Sequence, residues 1–204
     1  SFIGINAIAG IEISNTAFIE YKLPGHKAEK IKIEKPTGVP DHLWNFMNRF
    51  SIEPTEQKQV NIAQGLFGYT SYDAVQFFDS ISLSQSKSND QLSTTNAIPL
   101  MRYRLYQYII VINHFKDELF ICENKMNGIE SEAAVVESLI KSKDVPVFPF
   151  AVKGVESSNV KNEEYIEMVR KGIASCLRGD VFQIVLSRRF EQSFTGDEFN
   201  VYRA

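Results

Sequence analysis

One amide side chain lies in an otherwise apolar segment, and its chemical type limits what it can do. Gln183 lies in Val181–Ser187, where the other residues up to Leu186 are apolar. A primary amide has two N–H donors and a carbonyl acceptor, and burying it without partners costs about 1–3 kcal/mol. Two interpretations of Gln183 stay open: a structural amide bonded to the backbone or to a neighbouring strand, and a polar group that faces a ligand.

The glycines and histidines lack the spacing that phosphate and metal sites require. No Lys-Ser or Lys-Thr pair follows Gly65 and Gly68, so we expect these glycines to admit a close backbone or ring instead of a phosphate. His26, His42 and His114 show no paired ligand spacing. The sequence therefore predicts no metal-binding and no cofactor-binding residue.

Two arginines and an aspartate flank the apolar segment. Arg188 and Arg189 follow it and could reach an anion, but an arginine pair at the end of a strand is typical of solvated ion pairs. Asp180 precedes the segment and fits a turn better than a catalytic base. Gln183 is therefore the one candidate site residue.

The composition is that of a folded, slightly acidic protein. Of its 204 residues 44% are hydrophobic, which suffices for a packed core, and the formal net charge is −3. That charge argues against nucleic acid or an anionic membrane as a partner. No apolar run reaches the ~20 residues of a membrane span, and no signal peptide is recognisable. Cys122 and Cys176 lie far apart and favour reduced thiols, so we expect a cytoplasmic protein.

Periodicity in most of the chain predicts an antiparallel sheet with covering helices. Alternating apolar residues predict strands, and apolar residues three or four apart predict helices. The predicted strands are 2–5, 10–13, 17–21, 30–34 and 62–78, followed by a polar loop over 80–96 and a long hairpin that joins 105–115 to 119–122. The predicted helices are a short one around Leu43–Phe50, with Asp41 as its cap, and a second one over Ser131–Ser142.

A broken stretch at Val145–Val160, rich in proline, glycine and serine, predicts a domain boundary. We place a first domain over 1–150, and a linker with the start of a second domain over 151–204. The stretch is too interrupted to form one regular element.

The second region begins with a helix that leads into a strand. Asn162 can cap the helix and Gly179 can end it. The strand Val181–Ser187 is apolar on both faces, which predicts burial on both sides. The expected fold class is α+β: a largely antiparallel sheet with covering helices, followed by the first helix and strand of an incomplete second α/β region.

Several segments resemble a known enzyme family. Residues 165–170, 179–190 and 199–204 resemble the opening of the chorismate-utilising domain of anthranilate synthase component I. The glycine and aromatic segment 65–73 resembles a strand of that family's N-terminal domain, and 98–115 falls in the expected order. The resemblance covers most of the chain.

This resemblance implies an enzyme that converts chorismate and ammonia to anthranilate and pyruvate in tryptophan biosynthesis. It also implies Mg²⁺, a glutamine amidotransferase partner that supplies ammonia, and feedback inhibition by tryptophan. The Mg²⁺ ligands, the catalytic acids and the inhibitor-binding motifs would lie outside this sequence, which has no initiator Met. We therefore expect the chain to be the front part of a longer enzyme and to be inactive alone.

The resemblance also gives Gln183 a specific meaning. Relatives that add water to chorismate carry a lysine at the resembling place as a general base, whereas ammonia is already a nucleophile and needs no such base. Gln183 thus favours the aminating branch, and Val185 and Leu186 resemble the anthranilate synthase strand. Two alternatives stay open: aminodeoxychorismate synthase component I of folate synthesis, and a non-catalytic module that binds an amino acid or docks a partner.

Overall fold

The chain divides into two compact units, Ser1–Lys141 and Ser142–Ala204. The computed structural model describes residues 1–81, 98–144 and 148–203. Most of the predicted polar loop over 80–96 lies outside the described residues. Each unit has its own antiparallel sheet.

The first unit is built on a sheet of six strands. They are β1 (Phe2–Ile13), β2 (Phe18–Lys22), β3 (Glu29–Lys32), β4 (Phe67–Thr70), β5 (Met101–Asn113) and β6 (Glu118–Glu123). The order is β3-β2-β1-β5-β4, β6 also pairs with β5, and every pair is antiparallel. The expected α+β class with a largely antiparallel sheet is confirmed.

Strand β5 is the central strand because it is paired on both edges. β1 lies along one edge, from the pair Phe2–Val111 to the pair Ile13–Met101. The other edge pairs with β4 beside residues 101–104 and with β6 beside residues 108–113. The hairpin predicted from the sequence is therefore confirmed as β5 and β6, at the centre of the sheet.

β1 is one strand with a bulge, where the sequence predicted two strands. Asn6 has a φ of 56°, and the pairing with β5 shifts between Ala7 and Ala9. Asn6 Nδ2 donates to Oε1 of Gln107 at 2.6 Å, and Gln107 Nε2 donates to the backbone oxygen of Glu130 at 2.7 Å. Gln107 is only 2% exposed, so these bonds satisfy a buried amide while they hold the bulge.

The main core lies between the sheet and helix α1 (Val39–Met47). Val39 and Phe46 of this helix are buried against a cluster that includes Ile13 and Ile19, which are fully buried. The short helix predicted around Leu43–Phe50 is confirmed. Its predicted cap is wrong, because Gly38 occupies the cap position and Asp41 lies in the first turn.

A second, smaller core forms under helix α2 (Lys58–Ala63), where Ala63 packs on Ile109 and Val111 of β5. The strand predicted over 62–78 is wrong over most of its length: β4 occupies four residues of it, and a 3-10 turn occupies Tyr72–Phe77. Gly65 has a φ of 130°, a conformation that a continuous strand does not tolerate. Helix α3 (Ala133–Lys141) confirms the second predicted helix, with Val136 buried and Leu139 exposed.

The second unit contains two paired strands, which a long helix separates in the sequence. Its elements are β7 (Ala151–Ser158), α4 (Asn162–Arg178), β8 (Phe190–Thr195) and the short α5 (Phe199–Arg203). The stretch 145–160, predicted to be too interrupted for one regular element, nevertheless contains the eight-residue strand β7, which pairs with β8 across a register shift between Lys153 and Ser157. That shift accommodates Gly154, whose φ is 71°.

Helix α4 confirms the predicted helix, and it ends as expected. Gly179 is left-handed with a φ of 83°. At the other end Lys161, not Asn162, occupies the cap position, and its backbone N–H donates to the Glu164 carboxylate at 2.9 Å. No helix in the described residues is long and apolar enough to cross a membrane.

A charged cluster joins β1 to β5 on the side of the sheet away from the main core. Oε2 of Glu12 accepts from Nε of Arg102 and from Nη2 of Arg104, each at 2.8 Å. Gly10 makes this possible, because a Cβ there would lie 2.5 Å from Nη1 of Arg104. Burial raises the pKa of the Glu12 carboxyl, but the hydrogen bonds from Arg102 and Ser14 and the two guanidinium charges outweigh it. The pKa of Glu12 is therefore lowered.

We predict that Glu12 contributes to the acid sensitivity of the fold. Because its pKa is lowered from an ordinary 4.5, its stabilising contribution is complete above that pH and is lost as the pH falls through the folded-state pKa. Glu12→Gln should therefore reduce the free energy of unfolding by about 1 kcal/mol at pH 7 and by less in acid. Urea denaturation from neutral to acidic pH measures this.

The matched control is Glu56→Gln, which changes an exposed carboxylate outside the cluster. It should leave the stability unchanged at both ends of the pH range. An equal loss of stability for Glu12→Gln in neutral and acidic solution would contradict the prediction.

Candidate functional site

The segment that carries the candidate amide is irregular and is not a strand. Residues 181–189 have no regular secondary structure, and in the described part of the chain no backbone–backbone hydrogen bond involves residues 181–188. Phe182 and Val185 are largely exposed. The predicted strand Val181–Ser187, buried on both faces, is therefore wrong in this structure. A strand needs neighbours for its N–H and C=O groups, and no described strand pairs with this segment.

Helix α4 positions the segment from one side. A Cβ added to Gly172 would lie 3.4 Å from Cγ2 of Ile184 and 3.5 Å from Cδ1 of Leu186, so the helix and the segment approach each other closely there. Tyr165 donates its hydroxyl to the backbone oxygen of Leu186 at 3.5 Å. Sequence reasoning did not assign these roles to Gly172 and Tyr165. The signal for Gly172 was its place inside a helix, which costs about 1 kcal/mol relative to Ala and indicates close packing.

Arg188, at the end of the segment, contacts residues of the neighbouring elements. Arg188 donates to Oγ of Ser158 at 2.7 Å and to Oδ1 of Asn162 at 2.6 Å, and its guanidinium lies 4.5 Å from the ring centroid of Phe190. Arg188 thus ties the segment to the start of α4.

The other two flanking charges, Arg189 and Asp180, form ion pairs. Arg189 pairs with Glu191 at 2.6 Å, and Asp180 accepts from Arg178 at 2.7 Å. The interpretation of Arg189 as an ion-pairing residue and of Asp180 as a turn residue agrees with these contacts, whereas Arg188 contacts a hydroxyl, an amide and an aromatic ring.

Gln183 itself is exposed on the irregular segment. Gln183 was the one site residue predicted from the sequence, so the structure has no second predicted site residue to bring close to it. Its exposed amide can donate to and accept from a ligand without the cost of burial. Its role as a site residue stays a prediction.

In the glycine and aromatic segment 65–73, a glycine allows two strands to approach closely, as expected. A Cβ on Gly68 would lie 1.8 Å from the backbone oxygen of Arg102, so β4 approaches β5 more closely than any side chain permits. Gly65 instead supplies the positive φ before β4.

The titratable residues that the structure describes do not gather into a metal site. Within the described ranges there is no group of three or more His, Cys, Asp or Glu side chains that could hold a metal ion. His114 contacts Oγ of Ser1 at 2.7 Å through Nε2. Cys122 and Cys176 are free thiols, and burial raises the pKa of Cys122.

Comparison with known proteins identifies the family to which this chain belongs. Residues 18–204 match the family described as chorismate binding enzymes. The chain therefore belongs to the chorismate binding enzyme family.

Within this family, the chain is similar to several individual enzymes. The chloroplastic anthranilate synthase alpha subunit 1 of Arabidopsis thaliana is 30% identical over 161 residues, which cover 69% of this chain and 26% of that protein. Aminodeoxychorismate synthase component 1 of Escherichia coli is 25% identical over 173 residues, which cover 83% of this chain and 36% of that protein. The chain thus spans only about a third of the length of such relatives.

A solved structure shows the same fold. The crystal structure of anthranilate synthase component I from Streptococcus pneumoniae superposes with a TM-score of 0.64 at 20% identity, and the match covers 100% of this chain and 44% of that one. The resemblance noted from residues 65–73 and 179–190 is therefore confirmed at the level of family and fold.

We predict that the amides of residues 181–188 exchange with solvent much faster than those of the β5–β6 hairpin. Their N–H groups lack backbone partners in the described chain, whereas the hairpin is paired along its length. Hydrogen exchange read by NMR or mass spectrometry measures this. The middle of α4 is the internal control, since its amides are bonded within the same unit. Protection of 181–188 equal to that of the hairpin would show that a partner strand forms in solution.

Proposed function

We propose that this chain is part of an anthranilate synthase component I, which converts chorismate and ammonia to anthranilate, pyruvate and water. The observation that carries the proposal is the family match over residues 18–204, together with the 30% identity to a relative named anthranilate synthase. Cleavage of the enolpyruvyl side chain as pyruvate makes the enzyme a lyase.

Gln183 supports amination within this proposal. A neutral amide takes no proton from water, so it does not generate hydroxide near the substrate ring. Ammonia carries its own lone pair and attacks without a base. We assign Gln183 to the substrate pocket, where its N–H groups and carbonyl oxygen would orient substrate or ammonia.

Ammonia supply and inhibition belong to the same proposal. A glutamine amidotransferase subunit would release ammonia beside this component, and tryptophan would act as the feedback inhibitor. No described residue of this chain is assigned to either role.

No described residue of this chain is assigned to the Mg²⁺ that such an enzyme would use. Mg²⁺ in proteins is held by carboxylate oxygens and substrate, and the described ranges contain no cluster of three acidic, His or Cys side chains. We therefore derive no step through Mg²⁺ from this chain's residues.

Aminodeoxychorismate synthase is the second candidate, favoured by the 25% identity to the Escherichia coli enzyme of that name. Both candidates would add ammonia to chorismate, so Gln183 does not separate them. Only the first eliminates pyruvate, and fluorescent anthranilate therefore distinguishes their products.

We predict that residues 1–204 alone do not form anthranilate. The match covers only 44% of the Streptococcus pneumoniae chain, and the segment around Gln183 is exposed. Incubation with chorismate, ammonia and Mg²⁺ should leave anthranilate fluorescence at background. A longer chain, in which the same residues are followed by a complete chorismate-binding domain, is the positive arm. Anthranilate from that chain supports the proposal; an amino product without pyruvate release favours the second candidate.

We predict that Gln183→Lys, made in that longer chain, diverts part of the reaction from ammonia to water. We propose that the added domain of the longer chain covers this segment, so burial there would lower the pKa of the lysine and let it activate water; hydroxylated product should appear as amination falls at least tenfold. Product chromatography measures the partition. Gln183→Leu is the matched control, because it removes the amide without adding a base. Full amination by Gln183→Leu, with no change in products, would assign the amide a structural role.

A further inference from the structure

One face of the first unit's sheet carries a concentration of positive charge. Directly paired residues of antiparallel strands place their side chains on the same face. One row across five strands therefore consists of Lys30, Glu20, Glu12, Arg102 and Tyr69.

The neighbouring pairs extend this row on both sides. Lys22, Gly10 and Arg104 form the next row, and Lys32 pairs with Phe18. We call this surface the basic face; its side chains are Lys22, Lys30, Lys32, Arg102, Arg104, Glu12, Glu20, Phe18 and Tyr69.

The net charge of the basic face has the opposite sign to that of the whole chain. It holds five cations and two carboxylates, an excess of three positive charges, whereas the chain as a whole has a formal net charge of −3. An ordinary solvated sheet face mixes both signs more evenly. Phe18 and Tyr69 are also exposed on it, at 48% and 37%.

The two arginines of the basic face are held in place before any partner binds. Each donates one N–H to Glu12, and a guanidinium has five, so donors remain for a further carboxylate. Fixing the side chains in advance lowers the entropy lost on binding.

The lysines differ in how far they are neutralised. Lys30 pairs with Glu20 at 3.1 Å. Within the part of the chain that the structure describes, Lys22 and Lys32 form no ion pair.

We propose that the basic face binds an acidic surface patch of another protein. Its arginine forks and free lysines complement carboxylates, and its exposed aromatic rings supply the apolar contacts that protein interfaces contain. A long polyanion fits less well, because the negative charge of the rest of the chain repels nucleic acid and anionic membranes beyond the face itself. This interaction does not depend on the proposed reaction.

The test uses a fluorescein-labelled decaglutamate peptide as the probe and the whole 204-residue chain, at an ionic strength of about 0.15 M, where charges more than about 8 Å apart are largely screened. The double variant Lys22→Glu with Lys32→Glu should weaken peptide binding about tenfold, since it reverses the two unpaired charges. The matched control is Lys116→Glu with Lys125→Glu, which changes the net charge equally at exposed positions outside the face. It should change the affinity by less than about twofold. Circular dichroism checks that both variants fold.

Three results would overturn the proposal. They are no binding of decaglutamate by the unaltered chain, equal weakening by both double variants, and tighter binding of a thymidylate oligonucleotide or of vesicles that contain phosphatidylserine. The second result would mean that net charge alone governs binding, and the third would mean that the face selects nucleic acid or membrane.

Discussion

The pairing of β5 on both edges is the interaction on which the first unit depends. An apolar strand in the middle of a protein must give each backbone N–H and C=O a partner, and β1, β4 and β6 supply these partners. Because β5 is fixed on both sides, α2 can bury Ala63 on it, and the cluster at Met101 can form under α1. The charged cluster of Glu12 and two arginines also exists only because β1 and β5 lie side by side.

The same requirement explains the segment around Gln183. Its composition resembles that of the apolar second half of β5, yet no described strand pairs with it, and it remains irregular. Helix α4 approaches the segment closely at Gly172 and contacts it through the Tyr165 hydroxyl, but it cannot complete a hydrogen-bonded ladder. Apolar composition therefore determines which segments can become strands, and the presence of neighbours determines which of them do.

Sequence patterns predicted the elements whose structure is decided locally. The β5–β6 hairpin, α1 and the end of α4 at Gly179 follow from alternation, helical spacing and a left-handed glycine. Features that depend on distant residues were not predictable. The bulge at Asn6 is held by Gln107, a hundred residues away, and β7 becomes a strand only because β8 pairs with it. At the candidate site, the sequence predicted that Gln183 is buried, whereas the structure leaves it exposed, and its role as a site residue stays a prediction.

The long separation between β1 and β5 has a consequence for how the chain folds during synthesis. Phe2 pairs with Val111, so the first strand leaves the ribosome long before its partner. Until then β1 and the β2–β3 hairpin expose an apolar surface that includes Ile11, Ile13 and Ile19. Contacts of such high sequence separation form slowly, and an unpaired edge of this kind associates readily with other chains. The nascent chain therefore stays open to such association until β5 has emerged and covered this edge.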